Sequence, residues 1–191
     1  MLSREEAIQI FSESGALLEG HFLLTSGRHS NQYMQCAQVL QYPAYTEKLA
    51  QDLAGKFAQD GIELVIGPAM GGIIVSYEVA RQLGVPSIFA ERKDGKMEIR
   101  RGFTIKPGQK VLVVEDVVTT GGSVREVMEA VRAAGGTVAG VAVLVDRSNG
   151  QVNFGVKQEA VLSMEIQSWE PADCPLCAEG KTNAYKPGSR S

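Results

Sequence analysis

Apolar positions recur along this chain with two periods, and the switches between them outline the fold. Residues 3–14 place Ala7, Ile8, Ile10 and Phe11 on one side, the spacing of an amphipathic helix. Ser3 precedes that run and Glu6 follows three residues on, the pattern of a capping box. Gly20-His21-Phe22-Leu23-Leu24 reads as a strand, ended by Thr25-Ser26-Gly27. Pro43 opens a helix at the position where its missing N–H costs least. In that helix Tyr45, Leu49, Leu53 and Phe57 recur every four residues, which makes one buried face, and Gly61 stops it.

A strict alternation then begins. Leu64-Val65-Ile66 is a short apolar strand, followed by the Gly-rich turn 67–72 and a helix over 73–83. Ser87–Ala90 is a second strand. Val111–Val114 is a third, apolar at every position, as expected of a central parallel strand covered on both faces. The next helix carries Val124, Val127, Met128 and Val131 on one face. Strands over 137–145 and 160–164 follow. Strand, turn and helix at this spacing predict an α/β fold with a parallel sheet flanked by helices. Composition shifts only after Trp169, where prolines, cysteines, glycines and lysines gather. Residues 1–169 are read as one domain and 170–191 as a tail with little regular structure.

Composition narrows the class. A chain of 191 residues suits one domain and can bury about 70% of its unfolded surface. With 44% apolar and 21% charged residues it is neither disordered, collagen-like nor a disulfide scaffold. The net charge of −3 argues against a general nucleic-acid binder, which would carry a basic face. No apolar run reaches the roughly 18 residues of a membrane span, and the charged N-terminus is not a signal-peptide core. Three cysteines cannot all pair within one chain, so a reducing cytoplasm is the expected location.

The chemistry concentrates in Val111–Ser123. Ligands of open parallel sheets bind beyond the carboxyl ends of the strands. Here a buried strand runs into Glu115 and Asp116, then Val117 and Val118, then Thr119-Thr120-Gly121-Gly122-Ser123, which opens a helix. Turn amides, hydroxyls and a helix N-terminus make an anion site that fits phosphate. The two carboxylates repel phosphate but suit hydroxyl donors or, through water, a cation. A ribose 5-phosphate satisfies both halves; the plain alternative is a capped helix beside a solvated acidic pair. No Walker A lysine and no GxGxxG fingerprint is present.

This run resembles the phosphoribosyl-pyrophosphate (PRPP) motif of the type I phosphoribosyltransferases. The resemblance implies their fold, a central parallel sheet with a small N-terminal hood from about residues 1–40. It assigns Glu115 and Asp116 to the ribose hydroxyls and the segment through Val117 and Val118 to Thr119, Thr120, Gly121, Gly122 and Ser123 to the 5-phosphate. Three further segments are similar to the members that act on orotate. Ser26-Gly27-Arg28-His29-Ser30 matches their SGR-x-S segment. Residues 90–96 match their mobile loop, implying that Arg92, Lys93 and Lys96 bind PRPP and face the departing pyrophosphate, with Lys96 the leading catalytic group. Val145-Asp146-Arg147 matches the strand end whose Arg contacts orotate, with Thr119 a second contact. Implied with these are the transfer of ribose 5-phosphate from PRPP to N1 of orotate, in pyrimidine (UMP) biosynthesis, and Mg2+ held by PRPP and water with no direct protein ligand. A homodimer whose loop reaches the neighbouring site is implied too. Another base, or regulatory PRPP binding without catalysis, are the rival expectations.

The residues support these parts by themselves. A cationic loop suits a leaving group that gathers negative charge; a solvated charged hairpin is its plain alternative. A guanidinium at 147 fits a carboxylate through paired hydrogen bonds, against a structural ion pair with Asp146. Amides of the 67–72 turn suit pyrophosphate oxygens, against a plain strand-to-helix turn. The chain departs from several family members at Met70-Gly71, at Thr25 and by lacking a His after Lys96, which leaves more of the pyrophosphate charge to magnesium and backbone. His21 and His29 are isolated in sequence, and His29 is read as structural. Cys174-Pro175-Leu176-Cys177 is one pair where a structural zinc site needs four ligands, so a loose tail is expected; a second copy of the chain could add the other pair. Cys36 is read as a small buried apolar residue.

Overall fold

The computed structural model describes residues 1–24, 26–180 and 183–187. Thr25, and within the tail residues 181, 182 and 188–191, lie outside the described residues. Helix α1 (Arg4–Glu13) starts at Ser3, whose hydroxyl accepts from the Glu6 amide while Glu6 accepts from the Ser3 amide. Strands β1 (Leu17–Leu23) and β2 (His29–Met34) pair antiparallel. The short α2 (Ala37–Leu40) leads to α3 (Pro43–Phe57), with Pro43 in its first turn. Then come β3 (Leu64–Pro68), α4 (Gly71–Leu83), β4 (Ser87–Lys93), β5 (Lys96–Ile99), β6 (Lys110–Val118), α5 (Gly122–Ala133), β7 (Thr137–Asp146) and β8 (Lys157–Ser163). The described chain closes with β9 (Ser168–Trp169), a 3-10 turn (Pro171–Asp173) and α6 (Pro175–Glu179).

Six strands form the main sheet in the order β5-β4-β3-β6-β7-β8, parallel except for β5. The all-apolar stretch of β6 is explained by its two covered faces. Leu112 and Val114 pack with Leu49, Leu53, Phe57, Val75 and Val79 of α3 and α4. Val111 and Val113 pack with Val124, Val127, Met128 and Val131 of α5 on the other side. The helical faces read from the sequence are therefore the faces that are buried. At about 25 cal/mol per Å2 of apolar surface removed from water, these two layers supply the main drive to fold.

A second sheet of order β1-β2-β9 forms the hood. The described residues of the tail carry little regular structure, a 3-10 turn and one five-residue helix, and they pack on the hood. Ser168 and Trp169 pair with β2, and Arg28 donates to the Ser168 hydroxyl and carbonyl and bonds Glu170. Tyr185 donates its backbone N–H to His21 O, accepts from Leu23 N–H and meets the Phe22 ring edge to face. The reason is tertiary: the hood sheet lacks an edge until the returning chain supplies one. No described helix is long and apolar enough to cross a membrane.

Candidate active site

Three strand ends converge on one edge of the sheet. Central β6 delivers Glu115 and Asp116, then the turn 119–121 and the N-terminus of α5. Gly121 is the N-cap in the left-handed region (φ 76°), and a Cβ there would lie 2.8 Å from Val152 Cγ1. Only glycine meets both constraints. The first amides of α5 have no partner within the helix and point into the turn. A small pocket of about 70 Å3 lined by Glu115 and residues 117–124 is the space they enclose. The segment expected to cradle an anion thus encloses a small cavity by itself.

The acid pair lies behind it. Glu115 is buried and Asp116 half-buried, and no cationic side chain bonds either among the described residues. Burial first, and then the neighbouring charge, push the Glu115 carboxyl well above the ordinary range; burial also raises Asp116. Local amides offset part of this: Asp116 N–H donates to Glu115 Oε1 (3.0 Å) and Val117 N–H to Asp116 Oδ1 (2.7 Å). Two acids held close without a counter-charge favour sharing a proton until hydroxyl donors or a cation arrive.

The turn after β3 presses on the same pair. A methyl group at Gly71 would stand 2.7 Å from Asp116 Oδ2, and one at Gly72 would stand 3.2 Å from Glu115 Oε1. The 67–72 turn is thus packed against the acids rather than being a bare connection. Nothing in the spacing of the two segments announced this contact, because it depends on β3 and β6 being neighbours.

The end of β7 supplies Arg147, whose amide donates to Val118 O at 2.8 Å. Asp146 does not pair with it: Asp146 Oδ1 accepts from Ser148 N–H at 2.8 Å. Arg147 Nε is buried with no hydrogen-bond partner among the described residues, and burial lowers the pKa of the guanidinium. It lines a cavity of about 630 Å3 with Thr119, Thr120, Arg125, Ser148 and Glu165. A buried donor left unsatisfied costs about 1–3 kcal/mol.

The segment expected as a mobile loop takes the form of an antiparallel hairpin. Lys93 faces Lys96 across Asp94-Gly95, both with positive φ (51° and 81°). Asp-Gly is the two-residue turn that right-twisted strands favour, and it is the sequence signal of this hairpin. Arg92 pairs with Glu126 of α5 at 2.6 Å, and Arg101 pairs with Glu91 at 2.9 Å. Lys96 lies beside Glu126 and Glu129, along α5. Lys93 and Lys96 have no ion-pair partner among the described residues, and neither they nor Arg92 line the cavities that hold Thr119–Ser123. Within one chain the structure brings together Glu115, Asp116, Thr119–Ser123 and Arg147, and leaves the hairpin cations apart.

Residues 37–172 match the family model described as "Phosphoribosyl transferase domain". An orotate phosphoribosyltransferase of Pelotomaculum thermopropionicum is 66% identical over 99% of both chains. The solved orotate phosphoribosyltransferase of Aeropyrum pernix shares 30% identity over 82% of this chain and 92% of its own, with a TM-score of 0.66. Leishmania donovani UMP synthase shares 26% identity over 85% of this chain and 37% of its own, with a TM-score of 0.71. The chain belongs to the phosphoribosyltransferase family. Its full-length relatives are orotate phosphoribosyltransferases, which agrees with an anion-seeking arginine beside a phosphate cradle.

Proposed function

We propose that the chain is an orotate phosphoribosyltransferase, transferring ribose 5-phosphate from PRPP to N1 of orotate and releasing pyrophosphate, a step of pyrimidine biosynthesis. The observation that carries the base assignment is Arg147, a half-buried guanidinium whose Nε has no hydrogen-bond partner among the described residues and which lines a cavity shared with Thr119 and Thr120. A purine offers no carboxylate for it.

In this reading Thr119–Ser123 hold the 5-phosphate and fix the ribose, while Glu115 and Asp116 accept from its two hydroxyls. Arg147 and Thr119 orient the orotate ring. The C1–N1 bond forms as the C1–O bond to pyrophosphate breaks, so positive charge grows on the ribose and negative charge on the leaving group. The buried acids sit on the side where positive charge develops, and fixed groups in a desolvated site act strongly on such charge. Mg2+ would be held by PRPP and water, with Glu115 and Asp116 left to the hydroxyls, and would supply charge neutralisation on the pyrophosphate.

Lys96, Lys93 and Arg92 are assigned to the departing pyrophosphate. Their position along α5, away from the cradle of their own chain, supports a homodimer in which each hairpin serves the partner's site. Three free cysteines support a reducing, cytoplasmic location. The test is the loss of orotate absorbance after adding PRPP and magnesium. Loss that needs both additions, with stoichiometric pyrophosphate, is the expected result. Unchanged absorbance with adenine consumed instead overturns the base assignment.

A further inference from the structure

His21, His29, Cys174 and Cys177 contribute nothing to the site above, yet their ligand atoms all lie within 4.8 Å of one another. We infer that these four side chains form a tetrahedral zinc site that clamps the returning tail to the hood.

The distances carry the inference. Zinc bonds nitrogen at about 2.0–2.1 Å and thiolate sulfur at about 2.3 Å in a tetrahedron. Those lengths place N and N about 3.3 Å apart, N and S about 3.6 Å apart, around one centre. Here His21 Nε2 and His29 Nδ1 are 3.0 Å apart. Cys174 Sγ and Cys177 Sγ lie 3.5 Å and 3.6 Å from His21 Nε2, and Cys177 Sγ lies 3.2 Å from His29 Nδ1. The two rings meet edge to face, at 73°.

Hydrogen bonding alone does not account for this convergence. A ring nitrogen offers one donor or one acceptor site, but His21 Nε2 faces one nitrogen and two sulfurs. The two cysteines are not joined to each other. Two imidazoles with two thiolates are a zinc donor set.

All four candidate ligands come from one chain, so no second copy is needed to complete the set. Sequence spacing could not show this, because His21 and Cys174 are 153 residues apart. Two ligands sit on β1 and β2, while Cys174 and Cys177 flank the start of α6. The strand β9 and the Arg28–Ser168 bonds bring the tail to the hood. Zinc then closes a loop between residues 153 apart, and a clip across a long loop constrains the unfolded state strongly. The site is structural, with four protein ligands and no open position.

Full-length reduced protein, purified without chelator from zinc-supplemented cells, is expected to carry one zinc per chain by elemental analysis. Cobalt(II) exchanged into it is expected to give the visible bands of a tetrahedral ion and a thiolate charge-transfer band. The Cys174→Ser, Cys177→Ser double variant is expected to lose both, whereas Cys36→Ser keeps both. Chelation is expected to lower the thermal midpoint by on the order of 10 °C. If the double variant does not fold, a mercurial titration of the wild-type chain replaces it: zinc release must track modification of two thiols. Absence of stoichiometric zinc together with no cobalt spectrum overturns the inference. So does a double variant that retains full metal, or zinc release unconnected with thiol modification.

Discussion

Replacing Arg147 by Met separates binding from stability in a way that few active-site substitutions do. The side chain is half-buried, and its Nε has no hydrogen-bond partner among the described residues. Met keeps the apolar stem and removes the guanidinium. In the free protein this lifts a desolvation cost of about 1–3 kcal/mol, toward the lower end because the head group borders an open cavity. Folding stability is therefore expected to hold or to rise by up to about 1 kcal/mol. In the complex the same change deletes hydrogen bonds to a charged ligand group, worth about 1.5–3 kcal/mol. That range converts to a loss of roughly ten- to 150-fold in kcat/KM for orotate, with the PRPP constant little changed. Steady-state absorbance assays at varied orotate, beside thermal melts, read both effects. A variant that loses stability in step with activity, or keeps orotate kcat/KM within threefold of wild type, refutes the reasoning.

Further expectations concern the rest of the site. Gly71→Ala forces Asp116 from its place, since the new methyl would stand 2.7 Å from its oxygen; overpacking of this kind costs about 1–3 kcal/mol, and the PRPP KM is expected to rise at least about tenfold. Melts and PRPP titrations check it, and an unaltered KM counts against the acid–turn contact. Lys96→Ala is expected to lower turnover far more than PRPP affinity, and unchanged turnover removes Lys96 from the leaving-group role. For Glu115, whose folded pKa is raised by burial and by Asp116, the folded state binds the proton more tightly than the unfolded state does. Its stabilising contribution is therefore full at acid pH and is lost as pH rises through the raised value. Glu115→Gln is expected to melt higher than wild type at alkaline pH, with the gap closing toward acid. A gap that widens toward acid reverses the sign and sinks the account.

Much of this protein is set by residues close together in the chain. Helical and strand periods are local, so α1, α3, α4, α5 and the core of β6 follow from which positions are apolar, and the capping box at Ser3 was observed as read. The phosphate cradle is equally local, because strand, acid pair and Gly-rich turn lie within thirteen consecutive residues. Short elements were harder. Strand β2 is polar and half-covered, and β5 is four residues whose only announcement is the Asp-Gly turn.

What the tertiary structure decided are the contacts between distant segments. Strand order places the 67–72 turn against Asp116, and the same order sets the end of β7 beside Thr119 and Thr120 while Asp146 turns to Ser148, leaving Arg147 Nε without a hydrogen-bond partner among the described residues. The hairpin's path along α5 separates its cations from the cradle of their own chain. The return of the tail to the hood joins two apparently isolated histidines to one cysteine pair. Periodicity and spacing act over a few residues, whereas these juxtapositions arise from the packing of sheets and helices whose members lie many tens of residues apart.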